Sequence, residues 1–358
     1  MFKIKNFFKI LKKKLILNEK IKLCKYIHIM HNDKFNKPFV DFLNKNFNQN
    51  EHLILCKRVT NDKFSPFPEG ENVIEIVDLK GLNFDHKSIK KIILHSLFYK
   101  YVVDYFDTHR ELLDKTYWVM WGGDLYRSDE VIHNTSLMEN FGGYLTFTPK
   151  DKDILLNKCN VKNKNFYNIE YPLSIDLSFL DSIIKKKHNS LYILANHSAH
   201  KTTLELFDIL SKYKNENIKI FTIVSYGHVQ YKDEIIKKGK SIFGKKFEYI
   251  SEMLEPEKYA EFLKQMDVFV SNLKQQSATA NIEMCFYSGV KVFLPSGITT
   301  YDGYQAMGYD LYDTRQIQNL EFVEFSKPAS KKNHKLAEYY VGEDYKRNLW
   351  DNFFQGEQ

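Results

Sequence analysis

The chain of 358 residues lacks the short patterns that most directly identify a chemistry. It has no Gly-x-Gly-x-x-Gly and no P-loop spacing, which counts against a dinucleotide enzyme of the usual kind and against a P-loop phosphotransferase. The four cysteines, Cys24, Cys56, Cys159 and Cys285, include no Cys-x-x-Cys pair and no metal-ligand spacing. We therefore expect reduced structural thiols in a cytoplasmic protein, with no metal site and no cofactor.

Long apolar runs, internal repeats and low-complexity tracts are also missing. No run reaches the roughly 18 residues that a membrane span needs. The apolar piece at residues 15–17 is too short for the core of a secretory signal. What is present is the composition of a folded soluble protein, with 43% hydrophobic and 27% charged residues. A chain of this length exceeds one ordinary core, so we expect two domains.

The net charge of +7 is concentrated at the N-terminus. Residues 1–25 hold nine Lys and one Glu, a balance of +8, which leaves −1 on the remaining residues. A nucleic-acid-binding protein carries its basic footprint on the folded domain. The near-neutral body of this chain therefore predicts no nucleic-acid partner.

The basic N-terminal segment is amphipathic when it is drawn as a helix. An apolar stripe at helical spacing lies among lysines, and it consists of Ile4, Phe7, Phe8, Leu11 and Leu15. Helices of this kind bind anionic membrane interfaces, where each Lys contributes about 1 kcal/mol. We predict that residues 1–17 bind an anionic membrane surface and hold the protein on the inner face of the cell membrane. A solvated helix packed on the protein body and a disordered basic arm are the alternatives.

Strand-like and helix-like segments alternate along both halves of the chain. Strands are predicted at residues 25–30, 52–56, 72–77, 89–94, 117–120 and 143–148, and again at 191–195, 218–225, 247–250, 266–271 and 290–294. Such alternation predicts parallel sheets. The predicted fold class is α/β, with two Rossmann-like domains and a cleft between the carboxyl ends of their sheets. A charged break at 183–190 reads as a linker, so the predicted segments are 1–24, 25–185, 190–325 and 326–358.

The stretch at residues 117–126 places an apolar strand before Trp121, Gly122, Gly123, Asp124 and Tyr126. The two glycines allow a tight turn, and the aromatic residues can wall a polar pocket. Ligands bind at the carboxyl ends of strands in open α/β sheets. We predict that Trp121, Gly122, Gly123 and Tyr126 bind an acceptor substrate. An ordinary strand-to-loop corner with a helix-capping Asp124 is the alternative.

Three polar residues at strand ends of the first half are candidate catalytic groups, namely Asp124, Asp33 and His95. General acid–base catalysis needs one base within hydrogen-bond reach of a substrate hydroxyl, and each of the three could serve. A histidine at a strand end is more often a packed or hydrogen-bonded residue. The sequence leaves the choice among the three open.

Loops of the second half are rich in small polar residues after their predicted strands. The free amides of a helix N-terminus bind phosphate oxygens, and three such loops are expected at one sheet edge. The alternatives are an ordinary N-cap by Ser277 or Thr279 and a favourable first-turn acid at Glu283. The predicted nucleotide-sugar site comprises Asn196, Ser198, Ser225, Tyr226, Gly227, Gln275, Gln276, Ser277, Thr279, Asn281 and Glu283.

The sequence Trp-Val-Met-Trp-Gly-Gly-Asp-Leu-Tyr at residues 118–126 resembles the Trp-x-x-Trp-Gly-x-Asp-Leu-Tyr of bacterial 4-acetamido-4,6-dideoxygalactose transferases, the fucosyltransferase-like enzymes of enterobacterial common antigen synthesis. Segments 28–33, 193–198 and 274–276 are similar in the same order. The resemblance covers most of residues 25–315. The chain departs from the family in its Lys-rich residues 1–24 and in Ser-Ala-Thr after Gln276, where the family tends to have glycines.

This resemblance implies a GT-B fold, a dTDP-sugar donor, an undecaprenyl-diphosphate-linked acceptor and inversion without a required metal. No Asp-x-Asp stands at the expected place, and in GT-B chemistry positive dipoles can stabilise the leaving diphosphate. A last helix often crosses back to the first domain of GT-B proteins. We predict this for the apolar segment that ends in Trp350, Phe353 and Phe354; a small cap on the second domain is the alternative.

The leading interpretation is an inverting, metal-independent hexosyltransferase of cell-envelope polysaccharide synthesis. It would move a deoxyamino or amino sugar from a nucleotide-sugar to a lipid-linked or cell-surface glycan acceptor. A non-catalytic nucleotide-sugar-binding protein on a degenerate GT-B scaffold is the second. A Rossmann-type epimerase or phosphotransferase is the third, although the missing glycine motifs count against both.

Overall fold

The computed structural model describes residues 14–58, 65–126, 135–172, 176–274 and 278–356. The chain divides into two compact units. The first comprises Met1–Ser174 together with Lys346–Gln358, and the second comprises Ile175–Tyr345. The first unit therefore takes residues from both ends of the chain.

The first unit is built on a parallel sheet of seven strands in the order β3-β2-β1-β4-β5-β6-β7. Every described pairing in it is parallel, with Tyr26 opposite His52 and Ile27 opposite Ile92. The strands are β1 (Tyr26–His31), β2 (His52–Lys57), β3 (Val73–Ile76), β4 (Lys91–Leu94), β5 (Thr116–Met120), β6 (Gly143–Thr146) and β7 (Phe166–Asn168).

Helices connect these strands. They are α1 (residues 14–23), α2 (Asn36–Asn46), α3 (Lys100–Thr108), α4 (Gly123–Tyr126), α5 (Thr135–Met138) and α6 (Asp151–Lys158), with short 3-10 turns at Gln49–Glu51 and Arg110–Lys115. Successive residues of a strand point to opposite faces, so the apolar strands fill two cores. Ile27, Leu53 and Trp118 belong to one core, and Tyr26, Ile54 and Val119 belong to the other.

The last helix of the chain packs in the second of these cores, as the sequence predicts. It is α15 (Glu343–Gln355), and its Trp350, Phe353 and Phe354 are buried with Tyr26. Tyr26 Oη donates a hydrogen bond to the Phe354 carbonyl, and Trp350 Nε1 donates one to the Glu170 carbonyl. These contacts cover one face of the first sheet with residues from the far end of the chain.

The second unit has a six-stranded parallel sheet in the order β10-β9-β8-β11-β12-β13. This is the 3-2-1-4-5-6 order of a Rossmann fold, and the first unit has the same order with one added strand. The strands are β8 (Leu191–Ala195), β9 (Ile218–Ile223), β10 (Phe247–Ile250), β11 (Val268–Val270), β12 (Lys291–Leu294) and β13 (Tyr312–Asp313). The short β13 has no counterpart in the strands predicted from sequence.

Helices of the second unit cover both faces of its sheet. They are α7 (Ser178–Ser182), α8 (Thr202–Leu210), α9 (Lys232–Phe243), α10 (Pro256–Lys264), α11 (Thr279–Tyr287), α12 (Thr299–Ala306), α13 (Phe322–Phe325) and α14 (Lys331–Tyr340), with 3-10 turns at Ser211–Tyr213, Val229–Tyr231, Gly244–Lys246 and Thr314–Asn319. The short α7 belongs here because Asp181 accepts a hydrogen bond from Tyr287 Oη at 2.7 Å.

The described part of the N-terminal segment, residues 14–23, is helical. Leu17 and Ile21 are buried in the first unit, whereas Leu15, Ile16 and Leu23 are exposed. The other members of the predicted apolar stripe, Ile4, Phe7, Phe8 and Leu11, lie outside the described residues. No described helix combines the length and the apolar character that a bilayer crossing requires.

Candidate functional site

The carboxyl-terminal edge of the first sheet brings several of the predicted site residues together. His95 directly follows β4, Trp121 directly follows β5, and Asp33 comes two residues after β1. Tyr171, beyond β7, reaches across the edge, with its ring centroid 4.7 Å from that of Trp121 and its hydroxyl bonded to His95 Nδ1. This edge is where ligands bind in open parallel sheets.

Asp124 lies at this edge but is fully buried. One carboxylate oxygen accepts hydrogen bonds from Leu97 N at 3.0 Å and Trp118 Nε1 at 2.9 Å, and the other accepts one from Trp121 N at 2.9 Å. Burial raises the pKa of this carboxyl to about 6, against the opposing effect of the three donors. The geometry favours a positioning role, because the carboxylate ties the ends of β4 and β5 together.

The remaining residues of the Trp-Gly-Gly-Asp stretch shape this corner. Gly122 has a φ of 81°, a left-handed conformation that side chains disfavour, and Gly123 opens the short helix α4. Trp121 is half-buried and packs beside Phe35 at 5.1 Å between ring centroids. Tyr126 donates a hydrogen bond to Asp151 at 2.7 Å. The tight turn predicted from the two glycines is therefore present.

His95 is buried and both of its ring nitrogens have hydrogen-bond partners. Nδ1 bonds the Tyr171 hydroxyl, and Nε2 lies 2.9 Å from Nδ1 of His28. Nε2 of His28 in turn lies 3.1 Å from Nδ1 of His52. Burial lowers the pKa of His95 to about 3 and that of His52 to about 4, and it lowers the pKa of His28 well below its usual value. The three imidazoles are therefore neutral at physiological pH.

Asp33 is the exposed carboxylate of this edge. One of its oxygens accepts a hydrogen bond from Phe35 N at 2.8 Å, within the loop that precedes α2. Desolvation by the surrounding protein raises the pKa of Asp33, although the Phe35 amide and the nearby Lys34 oppose it. A carboxylate that is accessible and has a raised pKa has the properties of a general base.

Sequence reasoning missed Tyr171 at this edge, and it missed His28 and His52, which are linked to His95 by hydrogen bonds. A signal for the two histidines was available, because His28 interrupts an apolar strand and His52 begins one, both on the side of the sheet that carries Tyr26 and Ile54. Buried polar groups need partners. That rule predicts a partner for each histidine but does not say which residue supplies it.

Two loops of the second unit meet at the carboxyl-terminal edge of its sheet, as the sequence predicts. Ala199 and Gly227 form a bridge, with Ala199 N donating to the Tyr226 carbonyl at 2.8 Å and His228 N donating to the Ala199 carbonyl at 2.8 Å. Gly227 has a φ of 93°, and a Cβ there would stand 2.7 Å from the Ala199 carbonyl oxygen. Only glycine fits this close approach.

Asn196 holds a further loop at the same edge. It has a φ of 56°, and its amide donates to Thr203 Oγ1 at 2.9 Å and to Asn272 Oδ1 at 3.0 Å. Asn272 N donates back to the Asn196 side-chain oxygen at 3.2 Å. The side chain of Asn196 thus joins the loops after β8 and β11, with Ser198 buried beside them. Ser225 is half-buried and the Tyr226 side chain is exposed.

The helix that follows the loop after β11 begins without a side-chain cap. Ala278 occupies the N-cap position with a left-handed φ of 61°, and Thr279 and Asn281 lie in the first turn of α11. Thr279 is therefore not the N-cap, contrary to one alternative drawn from sequence. Gln275, Gln276 and Ser277 lie outside the described residues. Peptide N–H groups at such a helix start attract anions.

Glu283 lies one turn into α11. It is 7% exposed, and Tyr304 Oη donates to its carboxylate at 3.4 Å.

Sequence reasoning missed a charged group farther along the same edge, where Arg315 pairs with Asp313 at 2.7 Å and donates to Ser296 Oγ. Burial alone would raise the pKa of Asp313, but the hydrogen bonds from Arg315 and Ser296 outweigh it and bring the pKa to about 2. The described residues contain no cluster of three or more His, Cys, Asp or Glu suited to a metal ion.

No family model matches the chain, and no curated protein matches its sequence. Its fold is similar to those of several solved structures. Sucrose-phosphate synthase from Thermosynechococcus elongatus has a TM-score of 0.64 at 8% identity, covering 93% of this chain and 98% of that one. HepE from Anabaena, solved with UDP and glucose, has a TM-score of 0.61 at 8% identity, covering 93% and 100%. A protein described as a UDP-N-acetylglucosamine 2-epimerase from Listeria monocytogenes has a TM-score of 0.55 at 12% identity, covering 94% and 97%.

These matches run along nearly the whole chain and confirm the predicted fold class. The protein has two Rossmann-like α/β units and the GT-B fold. At 8–12% identity the likeness establishes the fold alone.

Proposed function

We propose that this protein is a glycosyltransferase that takes its sugar from a nucleotide-sugar. The observation that carries the proposal is the carboxyl-terminal edge of the second sheet, where the uncapped start of α11 lies on the same edge as the Ala199–Gly227 bridge. A diphosphate needs several peptide N–H groups at one place and room for its oxygens. The peptide N–H groups that follow the left-handed Ala278 are such donors, and Gly227 lets the two neighbouring loops approach each other closely at the same edge.

The nucleotide in this proposal is held by the second unit. Its diphosphate lies against the first turn of α11, which contains Thr279 and Asn281. Its ribose hydroxyls donate hydrogen bonds to the carboxylate of Glu283 in the same helix. The amides of α11 stabilise the leaving diphosphate through their partial positive charge, so the transfer needs no metal ion. Support comes from HepE, a protein of this fold that was solved with UDP and glucose.

The first unit supplies the acceptor site and the base. Trp121 and Tyr126 flank the acceptor, and inversion requires one group that takes the proton of its attacking hydroxyl. Asp124 is buried and holds three donors, so its expected role is to position the corner. Asp33 and His95 remain as the groups through which the proton leaves. The resemblance described above favours a dTDP-linked deoxyamino sugar as donor and an undecaprenyl-diphosphate-linked acceptor.

The N-terminal segment would bring the enzyme to that acceptor. Leu15, Ile16 and Leu23 are exposed on α1, and this helix continues the lysine-rich stretch at the start of the chain. Exposed apolar side chains among lysines favour an anionic lipid surface. We therefore propose a peripheral location on the inner face of the cell membrane, which a flotation assay with phosphatidylglycerol vesicles tests directly.

A thermal-shift panel of dTDP, UDP, GDP, CMP and ADP, each with and without EDTA, tests the proposed function. A ligand that binds only the native state raises the melting temperature, by the equivalent of about 2.7 kcal/mol at one hundred times its Kd. We expect a selective shift with dTDP or UDP that EDTA leaves unchanged. The absence of a shift with every nucleotide would reject the proposal.

The fold likeness to a UDP-N-acetylglucosamine 2-epimerase favours that activity as a second candidate. The two are separated by their products. A transferase slowly releases free nucleotide from a nucleotide-sugar when water replaces the acceptor. The non-catalytic nucleotide-sugar-binding protein of the sequence analysis would release none. An epimerase converts UDP-N-acetylglucosamine to a second sugar that NMR resolves.

A further inference from the structure

Three histidines and a tyrosine form one continuous hydrogen-bonded chain through the first unit. In order they are Tyr171, His95, His28 and His52, joined as described above, and none is more than 7% exposed. We refer to these four residues as the histidine chain. Since each link joins a ring nitrogen to the next residue, the chain has no gap between Tyr171 and His52.

The histidine chain runs along the strand direction, from the carboxyl-terminal edge of the sheet to its amino-terminal edge. Tyr171 and His95 lie at the carboxyl-terminal edge, which is the candidate acceptor edge. His28 is in the middle of β1, and His52 is the first residue of β2, at the opposite edge. The chain therefore connects the candidate site to the amino-terminal side of the sheet.

The last helix and α2 enclose the histidine chain in aromatic rings. His95 stacks on Trp350 at 6.4 Å between ring centroids and lies 4.9 Å from Phe39. Phe354 lies 4.8 Å from His52. A hydrogen bond in such a low-dielectric surrounding is stronger than in water, and an unmade one is costly. All three links are therefore expected to persist in solution.

Neutral imidazoles make the direction of the chain an all-or-none property. Each ring has one N–H donor and one acceptor nitrogen. If Tyr171 donates to His95 Nδ1, then His95 Nε2 must donate to His28, and His28 Nε2 must donate to His52 Nδ1. If Tyr171 accepts instead, every link is reversed. The state of Tyr171 thus sets the tautomer of His52, three hydrogen bonds away.

We propose that the histidine chain is a proton relay for glycosyl transfer, in which Tyr171 exchanges a proton with the acceptor hydroxyl and the three histidines act only through Tyr171. This inference rests on the proposed function. As the acceptor oxygen bonds to the anomeric carbon, the bond to the diphosphate breaks and the diphosphate leaves with its electron pair. The acceptor proton passes to Tyr171 Oη, and the proton of Tyr171 passes to His95 Nδ1.

The same shift then repeats inward. His95 gives its Nε2 proton to His28 Nδ1, and His28 gives its Nε2 proton to His52 Nδ1, so that His52 ends with a proton on both nitrogens. Burial lowers the pKa of His52, and the neighbouring carboxylate of Glu51 opposes that effect by favouring the charged form. One proton leaves the acceptor hydroxyl and one positive charge appears on His52, so protons and charge balance.

Nitrogen-15 NMR of histidine-labelled full-length protein tests whether the histidine chain acts as one unit. The expected wild-type result is one defined tautomer for each of His95, His28 and His52. Tyr171→Phe removes only the hydroxyl and should change the tautomer balance at His52. Tyr117→Phe removes a hydroxyl from the same aromatic core, outside the histidine chain, and should leave His52 unchanged. An unaltered His52 in Tyr171→Phe would overturn the proposal.

Kinetics test whether the reaction uses the histidine chain. The probe is the release of nucleotide from dTDP-glucose or UDP-glucose, whichever shares the nucleotide that shifts the melting temperature. Tyr171→Phe should lower kcat by about 10²-fold, the scale of general acid–base catalysis, with an unchanged donor KM. His28→Gln keeps a donor and an acceptor but cannot change tautomer, so it should lower kcat similarly. Its melting temperature shows whether the variant is folded.

A solvent isotope series separates the relay from a merely structural role. When several protons move together, kcat falls along a curve as D2O replaces water, and the curve should become a straight line in His28→Gln. Wild-type kcat in Tyr171→Phe together with a large loss in Asp33→Asn would overturn the relay and assign the base to Asp33. If no nucleotide shifts the melting temperature, the proposed transferase falls, while the NMR result still decides whether the histidine chain exists.

Discussion

Lys91 and Phe353 lie in contact although they are 262 residues apart: the ammonium of Lys91 donates to the Phe353 carbonyl and is 4.6 Å from the centre of its ring. Lys91 begins β4, and Phe353 is in the last turn of α15. The carbonyls at a helix end lack partners within the helix, so a cation there satisfies them and the helix dipole together. One buried lysine thus fastens the last helix to the first sheet.

Replacing this lysine should loosen the end of the chain. In Lys91→Met the aliphatic length is kept but the Phe353 carbonyl loses the ammonium donor, so we expect the free energy of unfolding to fall by about 1–3 kcal/mol. Urea unfolding measures the change. Lys90→Met is the matched control, since Lys90 is the exposed neighbour. Equal stability of the two variants would contradict the fastening role.

Acid should destabilise the first unit through its buried histidines. Burial lowers the pKa of His31 and of His95 to about 3 and that of His52 to about 4. Between those pKa values and the ordinary histidine pKa of about 6.5, the unfolded state binds protons that the folded state does not bind. The free energy of unfolding therefore falls as the pH falls through this window. Each histidine contributes a slope of about 1.4 kcal/mol per pH unit.

Two carboxyls among the described residues act in the opposite direction, because burial raises the pKa of Asp33 and of Asp124. Burial raises the pKa of Asp124 to about 6, so the folded state gains a proton there before the unfolded state does, and this stabilises the fold on acidification. These two carboxyls do not offset the three histidines. Urea unfolding of the wild type at pH 7 and pH 5 is the measurement, and a midpoint that stays constant or rises at pH 5 would show that the histidines are not buried as described.

Asp124→Asn should act mainly on stability. The amide group of Asn would place a donor against at least one of the three donors that now face the carboxylate, from Leu97, Trp118 and Trp121. A buried group left without a partner costs about 1–3 kcal/mol. We expect a lower melting temperature and an unchanged shift with the bound nucleotide. Wild-type stability with a collapsed turnover would instead identify Asp124 as the base.

Gly227→Ala should weaken nucleotide binding, because its Cβ would meet the Ala199 carbonyl at 2.7 Å and push the two loops apart. Gly289→Ala is a matched control, since Gly289 has a similar left-handed φ of 70° and open space around it. Both variants carry the backbone strain, but only Gly227→Ala carries the clash. We expect a smaller nucleotide-induced thermal shift in Gly227→Ala alone, by at least a factor of two in degrees. Equal shifts in the two variants would place the nucleotide away from residues 225–227.

The glycines and aromatic residues of the Trp-Gly-Gly-Asp stretch predicted an acceptor site, and the same stretch has a structural explanation. Trp118 and Asp124 are hydrogen-bonded to each other, and Gly122 provides the left-handed turn that allows it. A stretch of this kind can have a structural role as well as a chemical one. The kinetic and stability readouts of Asp124→Asn are designed to separate the two.

The sequence by itself determined the class of fold. Apolar strands alternating with helices can bury their faces only in layered parallel sheets, so both Rossmann-like units follow from periodicity. It also determined which loops lie at the carboxyl-terminal edge of each sheet, because the residues that follow parallel strands must lie there. The paired loops that contain Ala199 and Gly227 are an example.

Only the tertiary structure decided which side chains meet. His52, His28, His95 and Tyr171 come from four separate segments, and no local pattern joins them. Their contact depends on the register of β1 with β2 and β4, which is a long-range property of the sheet. The cover over them comes from Trp350 and Phe354 at the far end of the chain. Local residue patterns decide which elements form, whereas non-local packing decides which polar groups are buried together.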